Sequence, residues 1–376
     1  MIIWTKGTVV GIVEEGEAVQ RIELMEEDGG KRAAIHYTDE RPRLRVGDRV
    51  TVNVTADRLG LGGAQSIVHD VWRAEGDDGL GVSGGIRRAS PGRPGHIVKL
   101  RFTPEQRAVL AVEEEASPHH ASFAQPGTLQ GMPVLIGELH SMLPIAAAWI
   151  RGENPASRVT YIMTDGGALP LAFSKHAAEL RSGGWLTGTV TYGHAYGGDL
   201  EAVNKYTALL AARHVQRAHI AIAVMGPGIV GTGTPLGHTA TEMAELVHAV
   251  HALAGVPIVI PRISFADRRE RHRGVSHHLL ETMGKLTLAC AIIPLPDGLG
   301  DENERLVREQ LASSGCADRH EIVRVAGVTQ AEAELRLSAY PLPVTTMGRG
   351  LRDDPAYYTA VCAAAHFASS RVPDFE

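Results

Sequence analysis

The sequence has few cysteines and no long apolar stretch, and both absences narrow the class of protein. The three cysteines, Cys290, Cys316 and Cys362, are far apart and show no CxxC spacing, which argues against a disulfide framework and a cysteine metal site. No stretch approaches the roughly 18 uninterrupted apolar residues of a membrane-spanning helix. The first residues lack a basic region and reach Glu14 and Glu15 early, so we expect no targeting peptide. These features predict a cytoplasmic protein without membrane association.

The sequence also has no excess of basic over acidic residues. A net charge of -6 over 376 residues argues against a nucleic-acid-binding surface spread across the whole molecule. We therefore expect a small-molecule partner, with nucleic acid disfavoured and homo-oligomer formation left open. The length indicates two domains, and 44% hydrophobic residues are enough for a substantial core.

The first seventy or so residues alternate apolar and polar positions with the period of a β-strand, between turn clusters such as EEDGGK and VGDR. This pattern predicts a small β-barrel of the SH3 or OB type over residues 1–75. Residues 76–95 are rich in glycine and have no periodic apolar positions, which is typical of a linker. The second domain is then residues 96–376.

In the second domain, strand-like apolar runs alternate with helical patterns. This alternation predicts an α/β fold with a doubly wound, mostly parallel sheet and helices on both faces. The expected strands are His96 to Phe102, Val134 to Leu139, Val159 to Met163, Leu186 to Thr191, Ile220 to Met225, Val256 to Ile260, Leu286 to Ile293 and Glu321 to Val325. The expected helices include one capped by Thr103, and Leu143 to Arg151, Phe173 to Arg181, Leu200 to Arg217, Thr241 to Ala254, Glu302 to Leu311 and Ala356 to Ala368.

Five of the expected strand ends run directly into polar loops that carry histidine, aspartate or glycine. In an open parallel sheet these loops share the carboxyl edge, where ligands bind. One of these loops contains Gly226, Gly228, Gly231, Gly233 and Gly237 between a buried strand and a capping box from Thr239 to Glu242. Its glycines would let backbone N–H groups approach a phosphate or carboxylate. The candidate ligand-binding residues of this loop are Gly226, Gly228, Gly231, Thr232, Gly233 and Thr234.

The stretch Gly226-Pro-Gly-Ile-Val-Gly231 formally matches GxGxxG but not the wider dinucleotide fingerprint. The strand before it is not the first of the sheet, no helix begins at the third glycine, and no acidic residue stands about 20 positions later at the end of the next strand. NAD is therefore disfavoured as a cofactor. The competing interpretation of the loop is an exposed glycine-rich connection without a ligand.

A block rich in arginine and histidine follows the strand that ends near Pro261. Arg262 lies closest to the strand end, where its planar fork could hold an oxyanion bidentately. His277 is included as a candidate ligand-binding residue, and we expect at most one of His277 and His278 to face the site. The remaining arginines of the block are expected to form a solvated surface in part.

Histidines and carboxylates recur at the other strand ends. His194, His238 and Asp165 are the candidate catalytic residues, because a histidine oriented by a carboxylate acts as an acid or base near neutral pH. His140 is a further candidate ligand-binding residue. No HxH or HExxH spacing is present, so no metal ligand is assigned, although a divalent metal stays open. Each lone histidine could equally be a hydrogen-bonded structural group.

Three stretches, GDLEAVNKYTALLAARH, VMGPGIVGTGTPLGH and IPRISFADRRERHRGVSHH, resemble the signature segments of an uncharacterised bacterial family, a domain of unknown function. The resemblance extends over essentially the whole chain and implies no activity. Three function classes stay open. The first is a group-transfer or hydrolytic enzyme that acts on a phosphate- or carboxylate-bearing small molecule with histidine as acid or base. The others are a non-catalytic metabolite- or nucleotide-sensing regulator and a metal-dependent hydrolase. The absence of a GxSxG elbow and of a Walker A lysine disfavours serine hydrolases and P-loop NTPases.

Overall fold

A computed structural model of the chain describes residues 2–38, 41–60, 65–72, 95–101, 106–125 and 127–373. The chain divides into two compact units, Met1–Arg93 and Pro94–Glu376. The expected linker, residues 76–95, lies outside the described residues except for its last position. No helix in the described part of the chain is both long enough and apolar enough to cross a membrane.

The first unit is a closed five-stranded barrel. Its strands are β1 (Trp4–Glu15), β2 (Val19–Glu26), β3 (Lys31–Tyr37), β4 (Arg49–Asn53) and β5 (Ser66–Trp72), with a short helix α1 (Thr55–Arg58) after β4. The order around the barrel is β1-β2-β3-β5-β4, and the β3–β5 pairing is parallel. Alternate side chains such as Val9, Ile22 and Val50 fill the interior. The predicted small barrel is confirmed.

The second unit contains a sheet of eight parallel strands, which confirms the predicted α/β class. Its order is β11-β10-β9-β12-β8-β13-β16-β17, and two short hairpins, β6–β7 and β14–β15, lie outside it. The strands are β6 (Ile97–Lys99), β7 (Arg107–Val109), β8 (Pro133–Gly137), β9 (Val159–Thr164), β10 (Gly188–Tyr192), β11 (Leu200–Ala202), β12 (Ile220–Met225), β13 (Val256–Val259), β14 (Ile263–Ser264), β15 (Gly274–Val275), β16 (Ile292–Pro296) and β17 (Glu321–Val325).

The helices cover both faces of this sheet. They are α2 (Met142–Glu153), α3 (Lys175–Ser182), α4 (Lys205–Leu210), α5 (Glu242–Ala252), α6 (His277–Glu281), α7 (Asp301–Ser313), α8 (Cys316–Arg319), α9 (Gln330–Leu337) and α10 (Pro355–Ser370). Successive strand residues point to opposite faces, so Val134 and Ile136 pack with α4 to α8 and Leu135 packs with α2, α3, α9 and α10. We call these the α5 face and the α10 face.

The strand order at the centre of the sheet sends the connections of neighbouring strands to opposite faces. β8 and β9 lead into helices on the α10 face, whereas β12 and β13 lead into helices on the α5 face. Because the central order is β9-β12-β8-β13, each neighbouring pair sends its connections to opposite faces. Such divergence is the arrangement at which ligand-binding crevices form at the carboxyl ends of parallel strands, and three neighbouring pairs of strands show it here.

Three sequence expectations about elements are wrong. Arg107–Val109 forms a strand paired with Ile97–Lys99 instead of a helix, and the expected cap at Thr103 lies outside the described residues. The predicted helix from Leu200 starts only at Lys205, because Leu200–Ala202 pairs with β10 and Asn204 caps the helix through a capping box. The strand predicted from Leu286 begins at Ile292, since a π-helical turn first extends α6.

Candidate functional site

A short hairpin after β13 folds the arginine- and histidine-rich block back on itself. β14 pairs antiparallel with β15, so Ser276 N–H reaches the carbonyl oxygen of Arg262 at 2.9 Å. Gln310 of α7 fixes the second arm by accepting from Val275 N–H at 2.8 Å and donating to the Arg273 carbonyl at 2.9 Å. The hairpin therefore brings the residues that precede Gly274 close to the start of α6.

Ser276 joins this hairpin to helix α6. Its Oγ accepts the backbone N–H of His278, which caps the helix, and lies 3.0 Å from Nδ1 of His272. His272 is thus held against the first turn of α6, where His277 and His278 lie. His272 and Ser276 do not lie on one helix, because His272 precedes the turn at Gly274, whose φ is +74°.

Four imidazole rings gather at this point. The ring centroid of His272 lies 5.0 Å from that of His277 and 5.1 Å from that of His278, and the latter two are 4.4 Å apart. His238 stacks on His278 at 4.1 Å with an interplanar angle of 18°. One ring nitrogen from each of His272, His277 and His278 lies within 4.8 Å of the others. We call these four residues the histidine cluster.

Glu138, the first residue after β8, orients one ring of the cluster. It is 1% exposed, and its Oε2 lies 2.8 Å from Nδ1 of His278. Burial by itself would raise the pKa of Glu138, but Arg262 and His278 outweigh it and lower the pKa to about 2. The ionised carboxylate can only accept, so Nδ1 of His278 carries the hydrogen and Nε2 is left with the lone pair when the ring is neutral.

Lowered pKa values favour the neutral form of the other three rings of the cluster. Burial, followed by the charge of Arg262, lowers the pKa of His272 to about 3. Burial and the neighbouring His278 lower the pKa of His277 to about 4 and also lower that of His238. His238 donates from Nε2 to the carbonyl of Pro235 at 3.0 Å, since a carbonyl can only accept. Its Nδ1 therefore carries a lone pair, as a metal ligand or proton acceptor requires.

A buried ion network compensates the charge of Glu138. Arg262 is 3% exposed and lies 3.7 Å from Glu138 and 3.6 Å from Asp267. Asp267 also pairs with Arg269 at 2.7 Å and with Arg349 at 3.3 Å. The hydrogen bond from Arg269 is the main cause that lowers the pKa of Asp267. Carboxylates and guanidinium groups thus alternate beside the histidine cluster.

The glycine loop, residues 226–238, forms a small hairpin over the cluster. Gly231 and His238 face each other across it, while Thr232 and Thr234 bond within the loop. A Cβ at Gly231 would lie 3.1 Å from Nε2 of His278, so only glycine leaves that nitrogen open. The expected capping box at Thr239 does not form, because Thr239 Oγ1 accepts from Val230 N–H instead.

A second polar group lies at the ends of β9 and β10. Asp165 Oδ1 accepts from the backbone N–H of His194 at 2.7 Å, and His194 Nδ1 accepts from Leu100 N–H at 3.1 Å. Nearby, Glu242 at the start of α5 accepts from the hydroxyl of Thr164 at 2.5 Å. Burial raises the pKa of Glu242 to about 7. Glu242 thus links the end of β9 to the helix that follows β12.

The candidate residues predicted from the sequence therefore separate into three places. His238, His277, Arg262 and the glycine loop surround Glu138, whereas Asp165 and His194 belong to the group at β9 and β10. His140 lies towards the α10 face, where its Nε2 is 2.7 Å from Ser174 Oγ, and burial together with His176 lowers its pKa to about 3. Among the described hydrogen bonds, none joins His238 to Asp165 or His194.

Sequence reasoning missed the importance of Glu138, His272 and His278. The expectation that at most one of His277 and His278 faces the site is wrong, because both rings contact the rings of His238 and His272. A usable signal was the turn glycine, Gly274, between His272 and the paired histidines, since a reversal there brings all three together.

The cluster fits the requirements of a metal centre. Zinc bound tetrahedrally by imidazole at 2.0–2.1 Å requires nitrogens roughly 3.3 Å apart, so the three nitrogens, now within 4.8 Å of one another, would have to approach by up to about 1.5 Å. Nε2 of His277 is enclosed without a hydrogen-bond partner among the described residues. His238 cannot share the same ion with His278, because nearly parallel stacked rings direct their lone pairs along parallel lines. Three ligands would leave one position for water.

Fold and site together define an α/β protein with a histidine-rich site at the carboxyl edge of a parallel sheet. The chain belongs to the family described as a protein of unknown function, DUF3866, whose model matches residues 33–365. This match confirms the family resemblance of the three quoted stretches. Neither a curated protein nor a solved structure matches the chain.

Proposed function

We propose that this protein is a metal-dependent hydrolytic enzyme whose metal is bound by His272, His277 and His278. The observation that carries the proposal is the convergence of three imidazoles, one of which is oriented by a buried carboxylate. Three histidines with an open fourth position form a donor set of catalytic zinc, and a carboxylate behind a ligand histidine fixes its tautomer.

The metal would supply a bound water whose pKa is lowered towards neutrality, which provides hydroxide for attack on a substrate. The residues of this chain have separate tasks in that scheme. Glu138 holds His278 with Nε2 available, and Ser276 holds His272 against α6. Arg262 keeps Glu138 ionised, and its Nη2 is enclosed without a hydrogen-bond partner in the described part of the chain. That Arg262 also contacts the substrate, and that His238 serves as acid or base, stay predictions.

This proposal replaces metal-free acid–base catalysis as the preferred interpretation for a geometric reason. His194 and Asp165 meet through a backbone N–H, so the aspartate does not orient the imidazole as an acid–base pair would require. Glu138 does orient His278, but that ring lies among three further neutral imidazoles, and such a set suits a cation better than a single proton transfer.

Metal analysis of the purified protein tests the proposal. We expect the wild-type protein to bind about one zinc ion per chain in competition with a chromogenic chelator, and His277→Gln to weaken binding by at least about tenfold. His251→Gln is the matched control, because His251 is an exposed histidine on α5 outside the cluster. Circular dichroism and thermal melting establish that each variant is folded.

A second variant tests the position of the bound ion. Gly231→Ala places a methyl group 3.1 Å from His278 Nε2 on an exposed loop, so it should weaken zinc binding while leaving the fold intact. The proposal is wrong if the wild-type protein binds no divalent metal above micromolar affinity, or if the folded His277 variant binds zinc as the wild type does.

A further inference from the structure

The rim of the histidine cluster is more basic than the rest of the chain. Residues 262–278 contain five arginines and two carboxylates, whereas the whole chain has a net charge of -6. Arg262 and Arg269 belong to the buried ion network. Arg268, Arg271 and Arg273 are exposed, and no carboxylate among the described residues pairs with them.

Among these three exposed arginines, Arg271 lies beside the glycine loop and near the histidine cluster. Its guanidinium carbon lies 3.9 Å from where a Cβ at Gly233 would stand, which places it against the tip of the glycine loop. It also lies near enough to His277 to contribute, after burial and the neighbouring histidines, to the lowered pKa of that ring. Arg271 therefore connects the loop tip with a proposed metal ligand.

The loop tip adds hydrogen-bond donors beside this guanidinium. The N–H of Thr232 is used by the carbonyl of Gly237, but the N–H groups of Gly231 and Gly233 have no acceptor among the described residues. Gly233 has a φ of +79°, a conformation in which glycine is favoured and the backbone can be approached closely. Backbone N–H groups next to an arginine fork form an anion-binding arrangement.

We propose that the substrate carries a phosphoryl group, which Arg271 and the backbone of Gly231 to Gly233 bind beside the metal. This inference rests on the proposed function, because it places the phosphoryl group next to the metal-bound water. A phosphoryl group is favoured over a carboxylate because phosphate offers the Arg271 guanidinium and the backbone N–H groups of the loop more acceptor oxygens and more negative charge. A small molecule is favoured over a nucleic acid because the basic area is local and the net charge is negative.

Calorimetric titration with phenylphosphonate and benzoate tests this inference, because the two compounds share a phenyl ring and differ in the oxyanion. Phenylphosphonate also cannot be hydrolysed to a phenol. The titrations use the full chain, as zinc-loaded and as chelator-treated protein. The variants are Arg271→Gln and the control Arg305→Gln. Arg305 is an arginine of α7 whose side chain is 73% exposed and lies 3.9 Å from the carboxylate of Glu309.

We expect the Kd of phenylphosphonate for the zinc-loaded wild type and for Arg305→Gln to agree within about twofold. The Kd for Arg271→Gln should be at least about tenfold higher. Benzoate should bind at least about tenfold more weakly than phenylphosphonate. Equal binding to Arg271→Gln, or no binding of phenylphosphonate to any form, overturns the inference. Benzoate binding as tightly as phenylphosphonate overturns the choice of a phosphoryl group.

Metal content and anion affinity are separate measurements, so the two proposals can fail separately. If zinc binds but Arg271→Gln has no effect, only the substrate class is wrong. If no zinc binds, the proposed function is wrong. An Arg271-dependent affinity for phenylphosphonate in the chelator-treated protein would then still support the phosphoryl site.

Discussion

Glu138 is the residue on which the arrangement of the candidate site depends most. It is fully enclosed, bonds His278, and faces Arg262 across 3.7 Å. An ionised carboxylate in such a position is costly to bury unless its partners are present, and removing one member of a buried pair leaves the others uncompensated. Its neutral replacement should therefore affect both folding and metal binding.

We predict that Glu138→Gln lowers the free energy of unfolding by about 3 kcal/mol, because Arg262 loses one of its two carboxylate neighbours. Zinc affinity should fall by about 10- to 100-fold, since His278 loses the charged group that orients it. Urea unfolding and chelator competition measure the two effects. Glu309→Gln, on the exposed side of α7, is the control. A loss of stability below about 0.5 kcal/mol with unchanged zinc affinity would contradict the role given to Glu138.

The sequence alone predicts which polar residues lie at strand ends. It does not predict which of these residues contact each other. The buried run of β8 makes Glu138 recognisable as a strand-end residue, and the run of β12 does the same for the glycine loop. Which of them meet depends on strand order, and β12 lies between β9 and β8 without any local signal for it. For this reason His238 was grouped with Asp165, although it stacks on His278.

At the scale of elements, helix α5 begins with a carboxyl group in an unusual state. Glu242 bonds Thr164 of β9 and does not take part in a capping box. Burial raises its pKa to about 7 from an ordinary value of 4.5. A raised pKa in an acid means that the folded state holds the proton more tightly than the unfolded state. The resulting stabilisation is fully present below the unfolded value and is lost as the pH rises through about 7.

We predict that Glu242→Gln removes this pH dependence while the amide keeps the contact with Thr164. Between about pH 5 and about pH 8, the unfolding free energy of the wild type should fall by about 1–2 kcal/mol relative to that of the variant. This loss is smaller than the whole pKa difference would give, because the carboxyl group is partly exposed. Urea unfolding at several pH values measures the difference. Glu245→Gln, an exposed glutamate on the same helix, should follow the wild type. Parallel curves for Glu242→Gln and the wild type would refute the assignment.

Element prediction succeeded where periodicity was strong and failed where tertiary contacts decide. The runs of β9 and β12 were located almost to the residue because they are buried on both sides. Strand β7 has no such pattern, and its partner β6 ends at Lys99, which is buried and pairs with Glu201 at 2.6 Å. That partner lies about a hundred residues further along the chain, beyond the reach of local pattern.

At the scale of the whole molecule, all residues of the histidine cluster and of its basic rim belong to the unit Pro94–Glu376. We predict that a fragment of residues 94–376 folds on its own and binds zinc with the stoichiometry and affinity of the full chain. Thermal melting and metal analysis of the fragment check this. A folded fragment with at least about tenfold weaker zinc binding would show that the barrel unit contributes to the site.

The position of β12 in the sheet also has a consequence for synthesis on the ribosome. β8 and β9 are consecutive in the chain, yet neither pairs with the other, because β12 lies between them and bonds both. A nascent chain that has emerged only as far as residue 219 therefore exposes two apolar strands whose shared neighbour has not been made. Such late, non-local pairing slows folding and leaves strand edges open to aggregation, so we expect this region of the growing chain to be a substrate for chaperones.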